Sequence, residues 1–236
     1  MIKVNVKVFR FNPEKGDKKP HFDKFVIEAN PRDKVLDLLH RIKWEHDGTL
    51  SFRRSCAHGI CGSCAVKING RNMLACEANL ANFRDPTKIV VEPLQSLPVI
   101  KDLVVDLTDF FKKYEIVKPY LITKTPPPST ERLQSPEERK KIDEATTCIQ
   151  CASCSSSCPS NWKNPQFLGP ASILKAYRYI FDSRDEGAAE RLNILDTNDG
   201  VWRCHTIFNC VEACPKDINI TWHISQVKKK LVSREY

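Results

Sequence analysis

Eleven cysteines in 236 residues are the side chains with the most chemistry to offer, and they fall into three runs. The first is Cys56, Cys61 and Cys64, with Cys76 further on. A C-x4-C-x2-C triplet plus a distal cysteine is the plant-type [2Fe–2S] spacing, in which one loop wraps the cluster and a fourth thiolate closes it. Gly59 and Gly62 supply the backbone freedom that such wrapping demands. A structural zinc site of four cysteines is the competing reading of this run. His58, in the same loop, reads as an exposed residue and not as a ligand.

The second and third runs have to be read together. Cys148, Cys151, Cys154 and Cys158 followed by Pro159 reproduce C-x2-C-x2-C-x3-C-P. In two-cluster ferredoxins the fourth cysteine of such a run ligates the other cluster. Laid on that template, the later run has cysteines at 204, 210 and 214, but Ile207 at the remaining place. The crossover rule gives one cluster Cys148, Cys151, Cys154 and Cys214, which is a [4Fe–4S] set. The other receives Cys204, Cys210 and Cys158, one thiolate short, and an isoleucine cannot bind iron. A cubane without a protein ligand at one corner readily loses that iron, so the spacing predicts a [3Fe–4S] cluster beside Ile207. No cysteine is left over, whereas full disulfide pairing is impossible for an odd number.

The elements that must position these residues follow from hydrophobic patterning. Ile2–Phe11 and Phe22–Ala29 alternate as strands around a polar turn, Asn12–Pro20. Residues 33–46 place Val35, Leu36, Leu38, Leu39 and Ile42 at helical spacing. Ala65–Ile68, Asn69-Gly70 and Arg71–Ala75 read as a hairpin with a type I′ turn, and Lys88–Glu92 as a closing strand. This succession predicts a small β-grasp sheet. Leu97–Tyr120 reads as a connection with helical patterning, broken at Pro126-Pro127-Pro128. Ser135-Pro136-Glu137-Glu138 is a helix start with a capping box. Further helices are expected over 169–182, 185–195 and 220–233. The fold expected is α+β: a plant-type [2Fe–2S] ferredoxin domain over residues 1–105, then a mostly α-helical bacterial-type two-cluster domain over 106–236.

Bulk properties narrow the setting. No run of eighteen apolar residues is present, so the chain is not expected to span a membrane. Ile2 to Val8 already alternates as a strand, which predicts no signal peptide or presequence and a reducing, cytosol-facing compartment, where clustered cysteines serve as metal ligands more often than as disulfides. The net charge of +8 suits an acidic partner, anionic lipid or nucleic acid; for Lys228-Lys229-Lys230 a solvated helix face is the plainer reading. A nucleic-acid-binding zinc protein would require zinc in place of iron and sulfide, and no nucleic-acid partner is expected. A freestanding multi-cluster ferredoxin is the soluble alternative.

Longer stretches carry a resemblance. Residues 51–56 (SFRRSC), 97–106 (LPVIKDLVVD), 157–160 (SCPS), 182–185 (DSRD) and 203–207 (RCHTI) closely resemble the iron–sulfur subunit family of succinate:quinone oxidoreductase and quinol:fumarate reductase. The resemblance implies electron transfer from the FAD of a separate flavoprotein subunit, through [2Fe–2S], [4Fe–4S] and [3Fe–4S] clusters, to a quinone. That quinone would sit between this chain and one or two membrane-anchor subunits, with or without haem. It also implies a peripheral place on the cytoplasmic face of a prokaryotic membrane. By matching motif, the quinone wall would comprise Pro159, Ser160, Trp162, His205 and Ile207. Many ubiquinone-reducing members read Trp-Trp-Asn where this chain has Trp162-Lys163-Asn164, so Lys163 joins the candidate set and leaves the quinone type open. The N-terminal domain would face the flavoprotein. Arg53 and Arg54 have two readings: positive charge that raises the first cluster's potential, or an ordinary surface pair.

Overall fold

Alternation in the first ten residues sets the first sheet. Val4, Val6 and Val8 are fully buried, while Lys3, Asn5 and Lys7 face solvent, the period-two pattern of a strand with one buried face. The computed structural model describes residues 1–233. Its strands are β1 (Ile2–Arg10), β2 (His21–Ala29), β3 (Ala65–Ile68), β4 (Arg71–Leu74), β5 (Lys88–Glu92), β6 (Val99–Lys101) and β7 (Val104–Val105). The helices are α1 (Val35–Arg41), α2 (Thr108–Ile116), α3 (Pro136–Lys140), α4 (Asp143–Thr146) and α5 (Ser153–Ser156). They continue with α6 (Pro159–Lys163), α7 (Gly169–Ile180), α8 (Ala188–Leu195), α9 (Asn209–Glu212) and α10 (Ile220–Ser233).

Two units emerge among the described residues: 1–107 with 149–156, and 108–148 with 157–233. In the first, the sheet runs β2-β1-β5-β3-β4, with β1 and β5 parallel and the other pairs antiparallel. This is the expected β-grasp arrangement. Asn69 and Gly70 both have positive φ (46° and 88°), the backbone that a type I′ turn requires. Helix α1 covers the sheet with Val35, Leu36, Leu38 and Leu39, each roughly 1.5–3 kcal/mol of burial, and continues as a π-helical turn over Ile42–His46.

Residues 97–107 depart from the helical connection that the sequence suggested. They form the β6–β7 hairpin, and the helix is confined to α2. The reason is Asp102. It adopts φ 47° at the turn, its N–H donates to Phe11 O at 2.8 Å, and its buried carboxylate accepts from Arg10 Nε (3.1 Å), Phe11 N (3.1 Å) and Ser51 N (2.8 Å). Segment 149–156 folds with this unit because Asn72 Nδ2 donates to Ser153 O and Ser156 Oγ, and Ser156 Oγ donates to Gln95 O.

The second unit is helical. Its spine is α7 against α10, with Ile173, Leu174, Ala176 and Tyr177 packed among Ile220, Ile224, Val227 and Leu231 in its core. The start of α3 is capped as expected: Ser135 Oγ accepts from Glu138 N and Glu138 Oε2 from Ser135 N. Helix α8 starts at 188, not 185. Asp185 is instead committed to Ile122 N, Gly187 N and the fully buried Arg191, whose Nη1 lies 2.6 Å away. Among the described residues no helix is long and apolar enough to cross a membrane.

Candidate iron–sulfur sites

The first candidate site is the loop from Cys56 to Cys64. Ala57, Gly59 and Gly62 have positive φ, which turns successive N–H groups inward. His58 N (3.5 Å), Ile60 N (3.4 Å) and Cys61 N (3.3 Å) donate to Cys56 Sγ, and Cys56 N to Cys61 Sγ (3.5 Å). Cys76 N donates to Cys64 Sγ at 3.5 Å and Gly59 N to Cys76 Sγ at 3.3 Å. The sulfurs thus form two pairs, Cys56 with Cys61 and Cys64 with Cys76. Two pairs match two irons, each taking two thiolates.

Electrostatics separate the pairs. The N–H groups of His58, Ile60 and Cys61 pull the Cys56 thiol down to about 6, while burial pushes Cys64 up to about 12. Donors aimed at sulfur favour the anionic form, so Cys56 is prepared to carry negative charge. Cys76 is held by α1: Val35 N bonds Ala78 O and Leu36 N bonds Ala75 O, so the helix's unpaired N–H groups fix the segment that carries the fourth thiolate. His58 is exposed, its Nδ1 2.6 Å from Cys56 O. Arg53 and Arg54 are exposed.

Gly62 also explains the neighbouring loop. A Cβ there would lie 2.8 Å from Cys151 Cβ and 3.1 Å from Ile149 O. Only glycine lets the first-run loop and the Cys151 loop approach this closely. Cys151 and Cys154 fold with the first unit, and Cys148 and Cys214 with the second. Ser153 Oγ lies 3.4 Å from Cys151 Sγ.

The two later runs share one backbone shape. Gln150 and Ala152 have φ 55° and 63°, and Thr206 and Phe208 have 58° and 69°. Helix α5 begins one residue before Cys154, and α9 one residue before Cys210. Ile207 therefore occupies the backbone place that Cys151 holds in the first run. In the second unit a cavity open to solvent is lined by Cys158, Cys204 and Cys210 together with Ile207. The donor set fits a three-iron cluster: three cysteines face one space, and the fourth corner carries a hydrocarbon. Burial raises Cys158, and raises Cys210 to about 11, so as thiolates these two would need a bound cation to offset their burial. Asn209 Nδ2 donates to Ser157 O at 3.2 Å, tying the second run to the segment that carries Cys158.

Of the quinone-wall candidates, Pro159, Ser160, His205 and Ile207 line this cavity; Trp162 and Lys163 do not. Both lie exposed at the far end of α6. Ser160 is buried, while His205 and Ile207 are exposed at the mouth. Sequence reasoning missed the apolar lining from Phe167, Pro170 and Ile224, which periodicity marks only as core. It also missed Thr221, whose Oγ1 is 3.6 Å from Cys210 Sγ, because no spacing rule flags a lone hydroxyl. Lys228 is not simply solvated: its ammonium donates to Cys204 O at 2.8 Å.

Comparison with known proteins gives two iron–sulfur domain matches and a family. The 2Fe–2S iron–sulfur cluster binding domain matches residues 5–112 and the 4Fe–4S dicluster domain residues 140–215. The succinate dehydrogenase iron–sulfur subunit of Paracoccus denitrificans is 47% identical over 96% of this chain and 87% of its own length. The mitochondrial succinate dehydrogenase [ubiquinone] iron–sulfur subunit 3 of Arabidopsis thaliana is 46% identical over 97% of this chain and 75% of its own. A chain of the Mycobacterium smegmatis Sdh1 complex in the apo form superposes with a TM-score of 0.85 at 26% identity, covering 99% of this chain and 97% of that one. With two iron–sulfur domains and this identity over nearly its whole length, the chain belongs to the family of succinate dehydrogenase iron–sulfur subunits, the electron-transfer subunits of that oxidoreductase.

Proposed function

We propose that the eleven cysteines hold three clusters: [2Fe–2S] on Cys56, Cys61, Cys64 and Cys76; [4Fe–4S] on Cys148, Cys151, Cys154 and Cys214; and [3Fe–4S] on Cys158, Cys204 and Cys210. When bound, these clusters supply one-electron transfer between the FAD of a flavoprotein partner and a quinone at the interface with a membrane anchor. The domain boundary belongs to the same proposal: the sequence pattern puts it at 105/106, and the compact units divide at 107/108 with segment 149–156 contributed back to the first. The chain sits peripherally on the cytoplasmic face of the membrane, carried by the anchor, and the Arabidopsis relative's name specifies ubiquinone.

The residues divide the work. Inward N–H groups of the first loop stabilise negative charge on Cys56. Gly62 keeps the loop bearing Cys151 close, and short separations favour electron transfer. At the other end Ile207 withholds a ligand. Pro159, Ser160, His205 and Ile207 form a mixed apolar and polar wall. Ser160 and His205 are its hydrogen-bonding side chains, and Trp162 and Lys163 extend it along α6. Lys163 replaces an aromatic N–H donor by an ammonium, which donates to a quinone oxygen or reaches for headgroups.

The observation that carries this reading is the cavity on which Cys158, Cys204, Cys210 and Ile207 converge. Ile207→Cys tests it. The added thiolate is expected to convert the third cluster to [4Fe–4S], abolish its oxidised-state EPR signal, lower its potential and slow quinone reduction. An unchanged cluster type would sink the ligand assignment.

A further inference from the structure

Thr221 is the second residue of α10 and lines the same cavity as Cys158, Cys204 and Cys210. Its Oγ1 is 3.6 Å from Cys210 Sγ. Both groups are buried, at 6% and 8% exposure, so water does not compete for the contact. Helical threonines often turn the hydroxyl back to a carbonyl one turn earlier; here it meets a sulfur. In the free thiol either atom can donate. A cysteine bound to iron has no proton, so the hydroxyl must then be the donor.

We propose that Thr221 raises the reduction potential of the third cluster by donating a hydrogen bond to Cys210 Sγ. The inference rests on the reading that Cys158, Cys204 and Cys210 hold that cluster. Reduction adds one electron, and part of the added charge falls on the ligand sulfurs. A donor fixed on one of them stabilises the reduced state more than the oxidised one, and its burial strengthens the effect. Thr221 is a positioning residue: it acts through Cys210 and has no part in delivering electrons. The first unit carries a different hydroxyl–sulfur contact, Ser153 on Cys151, so the effect of Thr221 is confined to one cluster.

The test is a redox titration of the assembled complex by low-temperature EPR, comparing wild type with Thr221→Val, Thr221→Ala and Thr221→Ser. At the wild-type midpoint, Thr221→Val and Thr221→Ala should lower the reduced-to-oxidised ratio by about threefold to tenfold, a tenfold change being about 59 mV for one electron. Thr221→Ser keeps the hydroxyl and should restore the ratio, and the other two clusters should not move. An unshifted midpoint in Thr221→Val, or an equal shift in Thr221→Ser, overturns the proposal. Loss of the cluster from both Val and Ala variants also overturns it, by making Thr221 a structural residue. Absence of the oxidised-state signal from wild type would instead refute the three-cysteine assignment on which the inference rests.

Discussion

Gly62→Ala and Gly70→Ala form a matched pair that isolates the close approach of the first cluster loop to the Cys151 loop. Both glycines have left-handed backbones, φ +72° and +88°. An alanine in that region costs about 1–2 kcal/mol, partly offset by about 0.4–1 kcal/mol from a stiffer unfolded chain. Gly70 has nothing within 4 Å of its added Cβ, so its cost ends near 1 kcal/mol, or about 2–4 °C in Tm for a chain of this size. At Gly62 the new carbon would lie 2.8 Å from Cys151 Cβ, 3.0 Å from its Cα and 3.1 Å from Ile149 O. None of these is the end of a flexible side chain. Overpacking of that kind adds about 1–3 kcal/mol, for a total of roughly 2–4 kcal/mol and 4–16 °C. The assay is thermal bleaching of the visible iron–sulfur absorbance, with iron content measured on each purified variant. Equal bleaching temperatures for the two variants would refute the reasoning, because they would show that the loops do not need to touch.

Three further outcomes follow from buried charge. Arg191→Met should destabilise the second unit by about 3–5 kcal/mol, since it strands the fully buried Asp185 carboxylate without its partner; differential scanning calorimetry reads it. The double variant Arg191→Met, Asp185→Asn should be more stable than Arg191→Met alone, because no charge is left unpaired; Ile122 N and Gly187 N bond different oxygens of Asp185, so the single amide oxygen can accept from only one of them and the recovery is partial. The Arg10 guanidinium, with the Thr49 hydroxyl, holds the Asp47 carboxyl well below the ordinary carboxylate range. A depressed folded pKa gives stability that is complete above the unfolded value of about 4 and lost as pH falls through the folded one. Asp47→Asn should therefore flatten the acid limb of the stability curve below about pH 4, and urea titrations at stepped pH would detect an unchanged limb.

The cysteines were legible because ligand spacing is local. The gap at Ile207 and the Asn69-Gly70 turn follow from short stretches of sequence, as does the proposed crossover between runs, and the matching φ values of the two runs repeat the spacing in the backbone. Strand alternation in β1 and β2 and the capping box at Ser135 were legible for the same reason. The β6–β7 hairpin was not, because Asp102 takes its partners from Arg10, Phe11 and Ser51, which are distant in sequence. The late start of α8 has the same origin, in the partners of Asp185. The Asn72 contacts that fold segment 149–156 with the first unit and the Thr221 hydroxyl at Cys210 also depend on tertiary contact, which neither periodicity nor motif spacing encodes.

The central claim is three clusters on eleven cysteines, the last with one corner missing. Low-temperature EPR of the air-oxidised protein, with iron and sulfide counted on the same sample, tests it most directly. Oxidised [3Fe–4S] is paramagnetic, whereas oxidised [2Fe–2S] and ferredoxin-type [4Fe–4S] centres are silent. The account predicts a narrow oxidised-state signal and about nine irons per chain. Silence in the oxidised state with iron intact would contradict it, and would mean that a group other than a cysteine completes the cluster beside Ile207.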